Sequence, residues 1–102
     1  MRAIICYDFE NDKDRAVFAK LLSRYGFRIQ YSVFEFHLDV ETWASLKQKI
    51  DQKKSTMKGN CSVVIVPLSE PNYKKIEYIG NAFLYMNQSS VVYSGESIYA
   101  CG

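Results

Sequence analysis

The stretch AIICYD, residues 3–8, is the starting point for the fold, because a mostly apolar run leads directly into one carboxylate, Asp8. A short apolar run bounded by polar, turn-forming residues predicts a buried strand. Asp8 is therefore expected where a central strand leaves the core, and open α/β sheets tend to carry their chemistry at such strand ends. The alternative interpretation of Asp8 is a turn residue that starts a helix, since the local sequence pattern alone is typical of such a turn.

Composition predicts one globular domain. The chain has 102 residues, of which 48% are hydrophobic and 24% are charged, and these values exclude a disordered or fibrous protein. Aromatic residues make up 15% of the chain, and eight of them are tyrosines. This number of tyrosines favours an oligomer, because the tyrosine side chain combines apolar area with a polar tip and is common at interfaces. The formal net charge of +2 does not by itself indicate a nucleic-acid-binding protein.

Cysteine usage and hydropathy predict a cytoplasmic protein with no membrane partner. Cys6, Cys61 and Cys101 are far apart and odd in number, so they are interpreted as free thiols in a reducing compartment. No run approaches the roughly 18 to 20 apolar residues of a membrane span, and the N-terminus has no secretory signal.

Two amphipathic helices are predicted. Asn11 and the acids after it supply the N-cap and first turn of a helix at 12–24, and Gly26 fits the left-handed position that follows a helix. Asp39 caps a second helix at 40–53. Apolar residues recur at helical spacing in both segments, namely Val17, Phe18, Leu21, Leu22 and Tyr25 in the first and Trp43, Leu46 and Ile50 in the second.

Three further segments predict strands. Residues 27–38 alternate and exceed the usual strand length, which indicates a bent strand or a short antiparallel pair. Residues 61–66 form the most continuous β-branched run, which predicts burial on both faces, and Pro67 is expected to end that strand. Residues 75–79 predict a short, late strand that ends at Gly80.

This order of elements predicts a ferredoxin-like β-α-β-β-α-β fold of the α+β class, with both helices on one face of an antiparallel sheet. The strand at 75–79 has no place within a four-stranded sheet. Because an exposed sheet edge invites pairing with another chain, exchange of this strand within a C2 homodimer is predicted. The domain then spans residues 1–80, and residues 81–102 form a C-terminal tail whose order the sequence leaves open.

The candidates for chemistry are carboxylates and basic residues, because the chain has a single histidine, His37, and no glycine-rich phosphate loop. Asp8 could ligate a hard cation such as Mg²⁺, with a second copy of Asp8 supplied across a two-fold axis. Arg15 and Arg28 could bind phosphate through their guanidinium groups, although solvated charges are the alternative. Glu35 is interpreted as a solvated charge.

A basic cluster lies between the second helix and the loop after it. Its default interpretation is a solvated surface. If the cluster lies beside its copy in a dimer, it could instead neutralise the phosphates of duplex DNA, and binding would then weaken steeply with salt. The cluster consists of Lys47, Lys49, Lys53, Lys54 and Lys58.

A set of short motifs runs along most of the predicted domain. The motifs are YD at 7–8, ND at 11–12, Arg15, LL at 21–22, YG at 25–26, Arg28, QYSVFE at 30–35, VIVPL at 64–68 and KIEYIG at 75–80. With these motifs the chain resembles the CRISPR-associated Cas2 family, small proteins that accompany the Cas integrase in spacer acquisition. The QYSVFE run is the most specific part of the resemblance.

The resemblance implies a homodimer that binds RNA or duplex DNA and works with the Cas integrase to insert foreign DNA into the CRISPR array. For part of the family it also implies endonuclease activity that depends on Mg²⁺ or another divalent cation. A non-catalytic scaffold, in which the dimer bridges integrase dimers and its basic surface supports duplex DNA, is the alternative function.

The resemblance also assigns residues. The family's carboxylate, catalytic and metal-binding, falls on Asp8, and its two arginines fall on Arg15 and Arg28. Some members carry a further arginine where this chain has Val17. The Ser-Val-Phe motif positions fall on Ser32, Val33 and Phe34.

Overall fold

The apolar run that opens the chain forms β1, an inner strand of a four-stranded antiparallel sheet with the order β2-β3-β1-β4. The computed structural model describes residues 1–80. The strand order and the sequence of strands and helices confirm the predicted ferredoxin-like fold. The elements are β1 (Arg2–Phe9), α1 (Asp12–Ser23), β2 (Phe27–Gln30), β3 (Val33–His37), α2 (Val40–Thr56), β4 (Cys61–Leu68) and α3 (Glu70–Lys74).

The alternation of β1 separates the two faces of the sheet. One set of side chains is buried in a core with the two long helices, and it comprises Ala3, Ile5, Tyr7 and Phe9 from β1 with Phe18, Leu22 and Leu46 from the helices. The other set, which includes Ile4, Cys6 and Asp8, lies on the opposite side, here called the open face. The strand-end carboxylate therefore belongs to the face that α1 and α2 leave uncovered.

The helix boundaries agree closely with the sequence. Asn11 caps α1 by accepting a hydrogen bond from the backbone N–H of Asp14 at 3.0 Å. Asp39 caps α2 in the same way through Thr42 at 2.7 Å. α1 ends at Ser23, and α2 continues to Thr56, beyond its predicted end. Part of the predicted basic loop is therefore the last turn of a helix.

Gly26 does not adopt the predicted left-handed conformation, since the glycines with positive φ among the described residues are Gly59 and Gly80. Its small size matters for a different reason. A Cβ atom added at Gly26 would lie 2.4 Å from the Glu35 carbonyl oxygen and 2.5 Å from Cδ2 of Phe36. The glycine therefore permits the close approach of the α1–β2 connection to β3.

Residues 27–38 form an antiparallel pair, which is one of the two predicted alternatives. β2 and β3 are joined by a turn at Tyr31 and Ser32, and their register shifts between Arg28 and Gln30. This hairpin places its tip beside the carboxyl end of β1, because the backbone N–H of Tyr7 donates to the Ser32 carbonyl at 3.1 Å.

Two predictions about β4 are wrong. The strand continues through Pro67, which lies opposite Ala3, and ends at Leu68. Proline is tolerated there because β4 is an edge strand with a ladder on one side only. β4 is also not buried on both faces, since Val64 is 52% exposed and Val66 is 41% exposed.

The chain after β4 differs most from expectation. A short helix, α3, was not predicted; it is capped by Ser69 and carries Pro71 in its first turn. Residues 75–79 belong to no sheet ladder within the described part of the chain. Instead, Ile76 and Tyr78 pack against Ile29 and Val33.

The exchange of residues 75–79 with a partner stays a prediction, and the predicted tail, residues 81–102, lies outside the described residues. In the described range, no helix has the length and apolar character that crossing a membrane requires.

Candidate functional site

Asp8 is an exposed carboxylate at the carboxyl end of β1. It lies opposite Ser62 of β4, and its side chain forms no hydrogen bond or ion pair with another residue of the range 1–80. Its neighbour Phe9 is only 2% exposed and belongs to the core. The backbone at this point is thus fixed by packing, while the carboxylate is available to a ligand.

Arg15 connects the start of α1 to the end of β1. Its Nη1 donates to Oδ1 of Asp12 at 2.6 Å, and its Nη2 donates to the carbonyl oxygen of Phe9 at 2.9 Å. The hydrogen bond to Asp12 and then the hydroxyl of Tyr31 raise the pKa of the Arg15 guanidinium. A permanent positive charge is therefore held next to the residue that follows Asp8.

Arg28 closes the β2–β3 hairpin. Its Nε and Nη2 donate to the Tyr31 carbonyl oxygen at 2.9 Å and 2.7 Å. The guanidinium carbon lies 5.2 Å from the centre of the Tyr31 ring and 5.6 Å from that of Phe34. The residue predicted to bind phosphate therefore also fixes the hairpin turn, and its charge lies near two aromatic rings.

Tyr7 joins the hairpin tip to β1. Its hydroxyl donates to the Tyr31 carbonyl oxygen at 3.4 Å. Burial raises the pKa of Tyr7, and the charge of Arg28 opposes that rise. The phenol therefore stays protonated as a hydrogen-bond donor at neutral pH. Tyr7, the residue before Asp8, thus holds the β2–β3 turn to β1.

The predicted site residues are thus brought to one end of the sheet. The two arginines lie at the same end of the sheet as Asp8, because Arg15 contacts Phe9 and because Arg28 shares the Tyr31 carbonyl with Tyr7. They are, however, on the helix side of the sheet, whereas the Asp8 side chain lies on the open face. The motif residues lie further along the hairpin. Phe34 is a core residue, Val33 packs against the cluster of Ile29 and Tyr78, and Ser32 supplies a carbonyl to β1.

Sequence reasoning missed the role of Tyr31. It occupies the turn of a predicted strand pair, which is a signal for exposure, but its position beside both arginines depends on the hairpin register. Tyr31 is 58% exposed.

A single chain does not supply a complete set of metal ligands. The range 1–80 contains no group of three or more histidine, cysteine, aspartate or glutamate side chains that could hold a metal ion. The exposed carboxylate of Asp8 nevertheless suits a hard cation, because Mg²⁺ uses one or two carboxylates together with water and phosphate oxygens. The donor chemistry fits such a cation when a second copy of the chain brings its own Asp8.

Glu35 is buried, at 1% exposed, so its interpretation as a solvated charge is wrong. Its carboxylate accepts a hydrogen bond from Tyr73 at 3.0 Å and another from Tyr78. Arg2 lies over the Tyr73 ring at 3.7 Å and pairs with Glu70 at 2.6 Å. These contacts hold α3 and the residues after it against the open face.

The basic cluster remains on the surface, and all five of its lysines are exposed. Lys49 donates to the hydroxyl of Tyr25 at 2.6 Å, which links α2 to the end of α1. The cluster lies on the side of the sheet that carries the helices, whereas Asp8 lies on the open face. Any duplex on the lysines would therefore be bound apart from the carboxylate.

Comparison with known proteins gives concordant matches. Residues 1–76 match the family model described as CRISPR associated protein Cas2. A CRISPR-associated endoribonuclease Cas2 of Thermus thermophilus is 42% identical over 64 residues, which cover 63% of this chain and 68% of that protein. A CRISPR-associated endoribonuclease Cas2 of Synechocystis is 32% identical over 89 residues, covering 87% and 95%.

Solved structures give the same result. The crystal structure of Streptococcus pyogenes Cas2 at pH 6.5 superimposes with a TM-score of 0.66 at 25% identity, covering 78% of this chain and 100% of that one. A hypothetical protein from Thermus thermophilus superimposes with a TM-score of 0.57 at 30% identity, covering 67% of this chain and 80% of the other.

Proposed function

The chain belongs to the CRISPR associated protein Cas2 family, and from this premise we propose that it is a metal-dependent endonuclease that acts as a homodimer. Relatives named as endoribonucleases support the class of reaction. RNA is the first candidate substrate, and the proposed setting is spacer acquisition together with the Cas integrase.

The observation that carries the proposal is the state of Asp8. A carboxylate with no partner among residues 1–80, fixed at a strand end beside a fully charged arginine, is suited to binding a cation and a phosphate together. A structural carboxylate at this position would be expected to cap α1, but Asn11 performs that task.

The proposed mechanism assigns separate tasks to the residues of this end of the sheet. Asp8 from each of two copies would hold the cation, which would supply charge stabilisation at the phosphate and activation of a water molecule. Arg15 holds positive charge beside the strand end, where it orients the phosphate. Tyr7 and Arg28 keep the hairpin turn fixed, so that the site is already formed before substrate binds.

The open face supports a homodimer. α3 and residues 75–79 cover part of this face, and they leave exposed Val64 and Val66 on β4 beside Ile4 and Cys6 on β1. In residues 76–79 the exposure alternates as in a strand, with Ile76 and Tyr78 inward and Glu77 and Ile79 outward. Face-to-face association of two copies would bury the valines and bring the two Asp8 strand ends to the same interface.

Cleavage by an Asp8→Asn variant tests the nuclease. The change keeps the side-chain shape but removes the charge, so we expect cleavage of single-stranded RNA in Mg²⁺ to fall by at least about a hundredfold, since metal stabilisation contributes several kcal/mol. Asp51→Asn, which alters an exposed carboxylate of α2, is the matched control and should cleave normally. Cleavage that persists in Asp8→Asn, or that persists in wild type with EDTA, contradicts the proposal.

The alternative is a non-catalytic scaffold that supports duplex DNA for the integrase, and the exposed basic cluster favours it. The same variants separate the two functions when spacer acquisition is measured in cells. A scaffold predicts normal acquisition with Asp8→Asn and loss of acquisition when Lys47, Lys53 and Lys54 are changed to glutamate. The reverse pattern assigns acquisition to the nuclease site.

A further inference from the structure

Tyr31 is an exposed aromatic residue on an unusually well anchored turn. Its backbone carbonyl accepts hydrogen bonds from Nε and Nη2 of Arg28 at 2.9 Å and 2.7 Å and from the Tyr7 hydroxyl at 3.4 Å. The next carbonyl, that of Ser32, accepts from the Tyr7 backbone at 3.1 Å. The main chain of the turn is thus fixed to β1, whereas the Tyr31 side chain remains 58% exposed.

The Tyr31 ring is not part of the hydrophobic core of residues 1–80, because it belongs to neither cluster of buried residues. Its neighbours are instead the two charges of the candidate site. The Arg28 guanidinium lies 5.2 Å from the ring centre, and the Tyr31 hydroxyl raises the pKa of Arg15 after Asp12 does. An aromatic surface and two phosphate-binding groups therefore stand together at the end of β1.

Such a combination is suited to a nucleotide whose base is not already stacked. Guanidinium groups bind the backbone phosphate, and an aromatic ring offers its face to the base. Bases within a duplex are already stacked on their neighbours, whereas bases of a single strand can be splayed onto a protein side chain. The arrangement thus favours a single-stranded substrate over a duplex at this site.

We propose that Tyr31 is the stacking platform for a base that flanks the phosphate held at Asp8 and Arg15, and that this contact gives the site its preference for single strands. The inference rests on the proposed nuclease function for the identity of the neighbouring phosphate. It adds to the charged residues of the candidate site an uncharged residue of the hairpin turn that determines specificity. Tyr31 takes no part in bond cleavage; it positions the strand.

The test compares binding of an oligouridine with binding of the same strand carrying abasic nucleotides, with Ca²⁺ in place of Mg²⁺ under conditions in which neither strand is cut, so that a cation remains available to Asp8. Loss of one stacked base lowers affinity by about five- to a hundredfold. We therefore expect Tyr31→Ala to weaken binding of the intact strand by that factor and to leave binding of the abasic strand unchanged. Tyr31→Trp retains the ring and should bind the intact strand at least as well as wild type.

Two further measurements separate stacking from a structural effect. A 2-aminopurine placed at the flanking position should lose fluorescence on binding to wild type and to Tyr31→Trp, but not to Tyr31→Ala. Val40→Ala removes an exposed apolar side chain at the start of α2, away from the arginines, and should bind both strands as wild type does.

Equal weakening for the intact and abasic strands would overturn the inference, as would unchanged affinity in Tyr31→Ala or a loss of dimer in that variant. The outcome is independent of the nuclease assignment. If Asp8→Asn still cleaves RNA, the proposed function fails while the abasic comparison still reports on Tyr31. If Asp8→Asn is inactive but Tyr31→Ala does not distinguish the two strands, only the stacking inference fails.

Discussion

At the scale of single residues, Gly26 shows how little space separates the helix layer from the sheet. Its Cα approaches the Glu35 carbonyl and the Phe36 ring so closely that a methyl group at this position overlaps both. The neighbouring groups are a main-chain oxygen in a sheet ladder and a core side chain that is 1% exposed. Neither can move without disturbing β3, which carries the buried Glu35.

We therefore expect Gly26→Ala to lower the free energy of unfolding by about 1 to 3 kcal/mol, the usual cost of overpacking a core. Urea denaturation followed by circular dichroism measures the change. Ser45→Ala, on the exposed side of α2, should stay within about 0.5 kcal/mol of wild type. A Gly26→Ala protein as stable as wild type would mean that the α1–β2 connection can shift away from β3.

At the scale of elements, the segment that includes α3 is held to the sheet by polar groups as much as by apolar ones. Glu35 accepts hydrogen bonds from Tyr73 and Tyr78, and both rings are buried above it. Burial and the adjacent carboxylate raise the pKa of Tyr73 to about 12. The segment therefore depends on Tyr73 remaining protonated.

This shift predicts how stability changes with pH. The pKa of Tyr73 is higher in the folded chain than its ordinary value of 10.0, so the folded state retains the proton longer and the contribution is complete below about pH 10. It is lost as the pH rises towards 12.

The measurement is the difference in unfolding free energy between wild type and Tyr73→Phe at several pH values. At pH 8 the variant should be less stable by about 1 to 3 kcal/mol because Glu35 loses a buried donor, and the difference should shrink above about pH 10. Tyr25→Phe, which removes a surface hydroxyl bonded to Lys49, should retain the wild-type dependence. A constant difference between wild type and Tyr73→Phe from pH 8 to pH 11.5 would contradict the assignment.

Local pattern predicted the long elements because caps and periodicity act over a few residues. Asn11, Asp39 and the strand alternation are signals of this kind, and α1, α2 and the hairpin follow from them. Pro67 was misread because whether a strand tolerates proline depends on which strands lie beside it. Strand order is a property of the whole sheet, which no local window contains.

The site was predictable in part for the same reason. The strand-end position of Asp8 was predicted and is confirmed, while its role as a site residue stays a prediction. The contacts of Tyr31 and Glu35 depend on register and on the path of the chain after β4. Glu35 is a charged residue within an alternating strand, and nothing near it in sequence indicates the tyrosines that cover it. Its burial is a consequence of tertiary contact alone.

At the scale of the whole molecule, the open face has one half that residues 70–79 cover and one half that no part of residues 1–80 covers. The covered half carries Ile29, Val33 and Glu35, which lie under α3 and residues 75–79. The uncovered half consists of Ile4, Cys6, Val64 and Val66, two of which are more than 40% exposed. Apolar groups gathered on one side of an otherwise charged surface indicate an interaction site.

We expect Val64→Lys to raise the dissociation constant of the proposed homodimer about ten- to a hundredfold, because a charge at the centre of the proposed apolar interface has to be desolvated. Sedimentation equilibrium measures the constant, and circular dichroism checks that the fold is kept. Val40→Lys, at a position that is 76% exposed at the start of α2, should leave dimerisation unchanged. Full dimerisation of Val64→Lys would place the interface elsewhere.

The inner position of β1 also means that this strand requires a ladder partner on each side. β1 is made first, yet both of its ladder partners are made later, and the whole of α1, β2, β3 and α2 separates it from β4. Closing such a long loop is entropically costly, and non-local strand pairing is slow. The apolar strand that leads to Asp8 therefore emerges from the ribosome before β3 and β4, and its protection from aggregation depends on how quickly the hairpin and β4 pair with it.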